Sequence, residues 1–255
     1  MSKINELTTS NTKSYYLIYK PMCEKIESYI PKWITPNMIS ITSLLLVTVL
    51  YLTKTYYNPY ILSFCIVIYW LLDNLDGIHA RNTHQTSTLG EIIDHSGDMY
   101  YYILFTYMFF NLYRIPIDTT FIILATLAFN LKHLLSLYSR SLSLKVMDLP
   151  HIGIEIGVDD IILFSAIMPF LVYFVKFTPV ISKYIFYFMY IIFIYVLITT
   201  IIKLYKYSKL NILFIISTVL LSLSYYYLIK FPIIIGLLQA FYVLLMILLR
   251  TKMIK

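Results

Sequence analysis

The sequence predicts an all-α protein, a polytopic transmembrane helical bundle of about eight spans. Three observations carry this. Of 255 residues, 60% are apolar and 13% are charged, against roughly 25% charged in a soluble domain. A globular domain of this length leaves too much surface exposed to bury so much apolar side chain. That excludes a water-soluble enzyme, a disordered chain and a fibrous protein. The apolar residues also fall in long continuous runs. Barrel strands are short and alternate, whereas a helix satisfies its own backbone in lipid. Finally, the basic residues segregate between the two sides of those runs.

A bilayer needs about 20 mostly apolar residues per helix. Eight runs qualify, near 36–53, 58–75, 90–113, 116–139, 157–175, 179–202, 210–229 and 231–250. With the N-terminus in the cytoplasm, fourteen of the 20 basic residues fall on that side. Five (Lys54, Arg114, Lys176, Lys183 and Lys230) fall on the other, and Lys132 lies within a span. This asymmetry fits the positive-inside rule and puts both termini and the Arg81 segment in the cytoplasm. The net charge of +7 thus reads first as topology. Cys23 and Cys65 make no disulfide framework. No secretory signal peptide is expected, because the first apolar run begins near Met38 behind a polar, basic leader.

The leader, 1–35, has a pattern of its own. Residues 1–14 read as disordered. From Pro21, apolar Met22, Ile26 and Ile30 recur every four residues, with charged residues between. Pro21 suits a first helical position. The expectation is a short amphipathic helix at the membrane interface, ended by Pro31.

The acidic residues are distributed least evenly. Of thirteen, five lie between Asp73 and Asp98. A carboxylate at a span centre costs about 2.5–3.5 kcal/mol, and clustered carboxylates repel. Asp73 and Asp76 share one helix face at the cytoplasmic end of the second span. Asp94 and Asp98, four apart, share a face at the start of the third. A short connection brings the four together. Carboxylate-only ligation selects hard cations, Mg²⁺, Mn²⁺ or Ca²⁺, and four charges balance two divalent ions. Two such ions are a standard arrangement for displacement at phosphorus. Gly77, Ala80 and Gly90 leave room for a ligand, and Arg81 offers a fork for a phosphate oxygen. A metal-bound pyrophosphate suits these parts. The plain alternative is a solvated acidic loop. Against it, Asp94 and Asp98 run into the apolar segment from Met99 without a breaker.

Asp73-x2-Asp76-Gly77-x2-Ala80-Arg81-x8-Gly90-x3-Asp94-x3-Asp98 resembles the signature of the CDP-alcohol phosphotransferases at every fixed position. The resemblance implies a six-helix catalytic core, here 36–203, with two further C-terminal spans in 204–255. It implies cleavage of a CDP-linked alcohol, transfer of its phospho-alcohol part to a hydroxyl, and release of CMP. It further implies that Asp73, Asp76, Asp94 and Asp98 ligate two Mg²⁺ or Mn²⁺ ions. Asn37, Asp73, Gly77, Ala80, Arg81 and Gly90 would bind the CDP part. Asp73-Asn74-Leu75-Asp76-Gly77, Leu89-Gly90-Glu91, Asp94-His95 and Pro31-x-Trp33-x-x-Pro36-Asn37 resemble the choline and ethanolamine phosphotransferase branch in particular. There the donor is CDP-choline or CDP-ethanolamine and the acceptor is diacylglycerol. Family likeness also implies a homodimer in the endoplasmic reticulum or an equivalent internal membrane, and no nucleic-acid partner. Ile78-His79 and Asn82 depart from the residues usual in this branch.

A general base must take the proton of the attacking hydroxyl. The candidates are Asp98, weakened as a base by metal ligation, and His95, whose ordinary pKa near 6.5 suits neutral pH. Glu91, one turn before His95, can fix its tautomer; His95 is the favoured base. His79 and His84 read as solvated residues of the connection. His133 and Lys132 lie inside the fourth span, where ionisable groups usually serve function. Either they meet the donor or a lipid phosphate, or they snorkel. Asp160 is a second candidate for substrate contact. Two other readings compete. One is phosphatidyl transfer from CDP-diacylglycerol to inositol, serine or glycerol phosphate, using the same metals. The other is an ion-binding transporter, which calls for carboxylates along a pore rather than at two adjacent helix ends.

Overall fold

The structure is a computed structural model. It describes residues 14–113, 115, 118–141, 162–163, 165–169, 179–206, 212–228 and 230–249, some of them by backbone alone. Every extended element among them is helical. After a single π-type turn at Tyr15–Tyr19 come α1 (Lys20–Glu27), α2 (Pro36–Leu52), α3 (Pro59–Asn82) and α4 (Thr88–Leu112). A short 3-10 turn, Thr55–Tyr57, joins α2 to α3. Then follow α5 (Thr119–Ser141), α6 (Pro179–Lys206), α7 (Ile212–Leu228) and α8 (Pro232–Leu248). These helices overlie seven of the eight expected runs. The remaining run, 157–175, is described only at 162–163 and 165–169, which are helical. Of residues 1–14, expected to be disordered, Ser14 is helical and 1–13 lie outside the described residues, as does Asp160.

The helix starts follow local chemistry. Thr35 precedes Pro36 and its hydroxyl accepts from the Met38 N–H at 3.3 Å. Asn58 precedes Pro59 and accepts from the N–H groups of Tyr60 and Ile61 at 2.9 and 3.3 Å. Ser87 accepts from the Gly90 N–H at 3.0 Å, and Asp118 accepts from Thr120 at 2.7 Å. Each cap satisfies a donor the helix leaves free. Proline at the first position gives up no helical hydrogen bond.

Length separates the helices. At 1.5 Å per residue, 17-residue α2, α7 and α8 are about 25 Å long and 24-residue α3 about 36 Å. Among the described residues α3 alone combines the length and mean hydropathy, 1.6, needed to cross a bilayer; α2 and α8 are apolar but shorter.

The chain forms two compact units. The first contains α1 to α4 and residues 162–169. There α2 packs on both α3 and α4, and α1 lies on α3. Cys23, Ile39, Trp70, Leu75 and Ile78 form a buried cluster joined by Ile26, Ile30, Ile34, Ile162 and Leu163. Part of the apolar face expected of the leader helix is thus spent on α3, while Met22 stays 40% exposed. Gly97 lets α4 approach α2, since a Cβ there would sit 3.1 Å from the Leu44 side chain. The second unit contains α5 to α8, with α5 touching α6, α7 and α8. Its buried polar atoms bond across helices. Gln239 of α8 donates to the Asn130 side chain of α5 and accepts from the Tyr225 hydroxyl of α7. Such bonds suit a bundle whose alternative partner is hydrocarbon.

One expectation is corrected. His79 is not a solvated loop residue, because α3 continues to Asn82 and buries its ring completely. Hydropathy falls at Asp73, but nothing there stops the helical hydrogen bonding. His84 is exposed, in the left-handed region at φ 59°.

Candidate active site

Three helix segments of the first unit meet at the acidic cluster. They are the first turns of α2, the last three turns of α3 and the opening turns of α4. The α3–α4 connection is only residues 83–87. Because α3 is helical through this region, Tyr69, Asp73 and Asp76 lie on one face at spacings of four and three. On α4, Glu91, Asp94, His95 and Asp98 share a face for the same reason.

The four aspartates are brought together. Asp98 accepts from the Tyr69 hydroxyl at 3.1 Å and is in hydrogen-bonding contact with the Asp73 carboxyl. Asp94 lies within electrostatic reach of both Asp98 and Asp76. Asp76 is buried, 6% exposed, and accepts from the Ser40 hydroxyl of α2 and from the Gly77 N–H. Arg81 acts on Asp76 from the next turn, and its guanidinium lies along the bare face of Gly77. A Cβ at Gly77 would stand 3.3 Å from Nη1. On the other side Asn37 closes on Gly90, where a Cβ would meet its Oδ1 at 3.4 Å. Ala80 is half-buried on α3. Both glycines are thus closely approached, by the Arg81 guanidinium in one case and by Ser87 and Asn37 in the other.

The donor set suits a hard divalent cation. Two carboxyl groups in contact, Asp73 and Asp98, stay together only with a proton or a cation between them. One oxygen each of Asp94 and Asp98 and a ring nitrogen of His95 lie within 4.8 Å of one another. These three are the residues of the cluster whose ligand atoms come close enough to share one cation.

His95 is 20% exposed at its side chain, and its Nδ1 stands 3.9 Å from Asp94 Oδ2. An acidic residue one step before it, as well as Glu91 one turn before it, is thus placed to hold its ring. His133 falls on α5, in the second unit, with its side chain outside the described residues.

Sequence reasoning missed what holds the aspartates. Ser40 and Tyr69 each bind one. Helical spacing puts Ser40 one turn after Asn37 and Tyr69 one turn before Asp73, but nothing in the sequence singles either out. Tyr101 stacks on Tyr69 with ring centroids 3.6 Å apart and planes 5° from parallel, which fixes the ring whose hydroxyl binds Asp98. Also missed was a second polar cluster behind α3. Glu27 of α1 is 2.8 Å from His79 Nδ1 and accepts from the Asn82 amide at 2.6 Å. Burial pushes the Glu27 carboxyl up, but the bonds from Asn82 and His79 and the charge on His79 outweigh it, leaving it below the usual 4.5.

The chain is similar to several known proteins. Choline/ethanolaminephosphotransferase 1 of Saccharomyces cerevisiae is 30% identical over 100 residues, covering 35% of this chain and 25% of that protein. Ethanolaminephosphotransferase 1 of Pongo abelii is 26% identical over 121 residues, covering 41% and 30%. An uncharacterized CDP-alcohol phosphatidyltransferase class-I family protein of Dictyostelium discoideum is 34% identical over 82 residues, covering 28% and 20%. The chain thus spans less than a third of these relatives' lengths. No solved structure matches it. The family profile described as CDP-alcohol phosphatidyltransferase matches residues 33–202, which include every residue of the acidic cluster, and the chain belongs to that family.

Proposed function

We propose that the protein transfers phosphoethanolamine or phosphocholine from a CDP-aminoalcohol to diacylglycerol and releases CMP. The observation that carries this is the meeting of Asp73, Asp76, Asp94 and Asp98 beside Arg81 at two helix ends. The names of the yeast and orangutan relatives favour the aminoalcohol donors over CDP-diacylglycerol. Two Mg²⁺ or Mn²⁺ ions, when bound, supply charge neutralisation at the pyrophosphate.

The chain's own groups do the rest. Arg81 pairs with a phosphate oxygen, for which its planar fork is suited. Asn37, Gly77, Ala80 and Gly90 shape the space for the CDP part. His95 takes the proton of the diacylglycerol hydroxyl as its oxygen bonds to the phosphorus of the phospho-alcohol. The bond from that phosphorus to the CMP oxygen breaks, and CMP leaves with the electron pair. Glu91 or Asp94 holds the imidazolium so formed. Asp98 is the alternative base, and Asp160 and His133 are candidates for substrate contact.

The reading includes a topology. The eight helical runs each cross the membrane, 36–203 forming a six-span core and 204–255 adding two. The termini and active site face the cytoplasm of an endoplasmic-reticulum-type membrane, and two copies form a dimer. The deciding assay offers CDP-choline, CDP-ethanolamine and CDP-diacylglycerol in detergent micelles with Mg²⁺, Mn²⁺ or EDTA. CMP release from an aminoalcohol donor with diacylglycerol, abolished by EDTA, is expected. Release from CDP-diacylglycerol alone favours phosphatidyl transfer, and activity indifferent to EDTA removes the dimetal reading.

A further inference from the structure

One buried imidazole holds both ends of the connector that leads into the site. His79 is fully buried on α3, one turn beyond Asp76. Its Nδ1 is 2.8 Å from Glu27 Oε1, at the end of α1. Its Nε2 is 2.8 Å from the carbonyl oxygen of Ile34, just before α2. Glu27 is itself 8% exposed, and its second oxygen accepts from Asn82. Farther along the same end, the Gln85 amide reaches the Lys32 carbonyl at 3.4 Å.

An imidazole between two oxygens can satisfy both, and when it donates from both nitrogens Glu27–His79 is a buried ion pair. Burying two charges is expensive unless their remaining bonds are made. Here they are made by Asn82 and Ile34. The best-attested use of such a pair is to fix one register among several. The geometry says which register. Residues 28–33 are looped between the two groups that one ring binds. Directly after this loop, α2 begins with Asn37 against Gly90 and Ser40 on Asp76.

We propose that His79 is a positioning residue of the donor site: by binding Glu27 and the Ile34 carbonyl together it fixes the 28–35 connector, and so Asn37 and Ser40, in the pose that receives the CDP part of the donor. This rests on the function proposed above. Its signature is loss of donor affinity rather than loss of the chemical step.

The test uses the full chain and four variants: Glu27→Leu, His79→Leu, the double variant, and the milder Asn82→Ala. Donor KM, kcat and affinity for CDP with Mg²⁺ are measured, with hydrogen exchange over residues 28–40. Each leucine variant is expected to raise KM and weaken CDP binding by about tenfold or more, as loss of a supporting contact does. The double variant should be no worse than either single one, because both remove the same contact. Asn82→Ala, which keeps the imidazole bonds, shifts KM the same way by less, and this arm serves if the leucine variants do not fold. Exchange over 28–40 rises in each. Unchanged KM and CDP affinity, or additive effects in the double variant, overturn the proposal. A fall in kcat alone does the same. If the unaltered protein neither turns over a CDP-alcohol nor binds CDP, the parent function fails instead. The clamp is then judged by exchange, and unchanged protection in His79→Leu overturns it.

Discussion

Asp98 and Asp76 each depend on a neutral hydroxyl for their aim. Tyr69 donates to Asp98, and its ring is held by the stack on Tyr101. Tyr69→Phe keeps the ring and the stack and removes only the bond. Supporting residues of this kind typically change metal affinity or activity by about 10–100-fold. Tyr69→Phe is therefore expected to raise the Mn²⁺ concentration for half-maximal turnover by about that factor, with thermal stability little changed. Ser40→Ala should act in the same direction through Asp76. A metal titration that superimposes on that of the unaltered protein refutes both. His95 differs in kind. If it is the base, His95→Ala leaves CDP binding intact while turnover falls about 10²–10⁴-fold. At this scale the sequence disclosed the charged residues, because four aspartates at helical spacing in an apolar chain repel one another unless cations hold them. It did not disclose Ser40 or Tyr69. Serine and tyrosine carry no cost in an apolar run that would single them out, and their partners depend on which helices touch.

The helices themselves were legible as apolar runs, most of them with their ends, but the end of the second was not. The second run was expected to stop at residue 75, and α3 continues to Asn82. Hydropathy reports what lipid tolerates, whereas the helix ends only when its hydrogen bonding does. The extra two turns carry Asp76, Arg81 and His79, so this difference of seven residues moves His79 from water into the contact with α1. That contact has a pH dependence with a definite sign. The bonds from Asn82 and His79 hold the Glu27 carboxyl below its ordinary 4.5 against the pull of burial. A depressed carboxyl contributes stability in full above its ordinary value and loses it as pH falls through the lowered folded value. The α1–α3 contact is therefore expected to hold from neutral pH down to about 4.5 and to loosen below it. Trp70 reports on this directly, since Tyr19 meets its ring edge-on at 5.3 Å. Its emission should shift below pH 4.5, and the Glu27→Gln variant should show no such transition. Removing one partner of a buried pair costs about 3–5 kcal/mol, so Glu27→Ala should lower the melting temperature measurably at neutral pH. An acid transition that persists in Glu27→Gln assigns the shift to another group.

Across the whole chain the question is how many helices cross, and the basic residues make it decidable. With eight crossings the basic residues outside the spans divide fourteen to five. Suppose the run 157–175 does not cross. Lys203, Lys206, Lys209, Arg250, Lys252 and Lys255 then move to the far side, while Lys176, Lys183 and Lys230 return. The division becomes eleven to eight, and the bias that orients membrane helices nearly vanishes. The same argument bears on the shorter helices. At about 25 Å, α2, α7 and α8 fall short of the hydrocarbon thickness of about 30 Å. A short span is accommodated by local thinning or by snorkelling side chains at modest cost. Lys54 follows α2, and Lys230 lies between α7 and α8, where long basic side chains can reach the headgroups. Eight crossings therefore predict a specific map. Glycosylation acceptors inserted at 54–58 and at 230 should be modified in microsomes. Acceptors in 203–211 and tags at either terminus should remain on the cytoplasmic side, open to protease without permeabilisation. Modification at 203–211, or termini on opposite sides, would show an odd number of crossings and overturn the proposed topology.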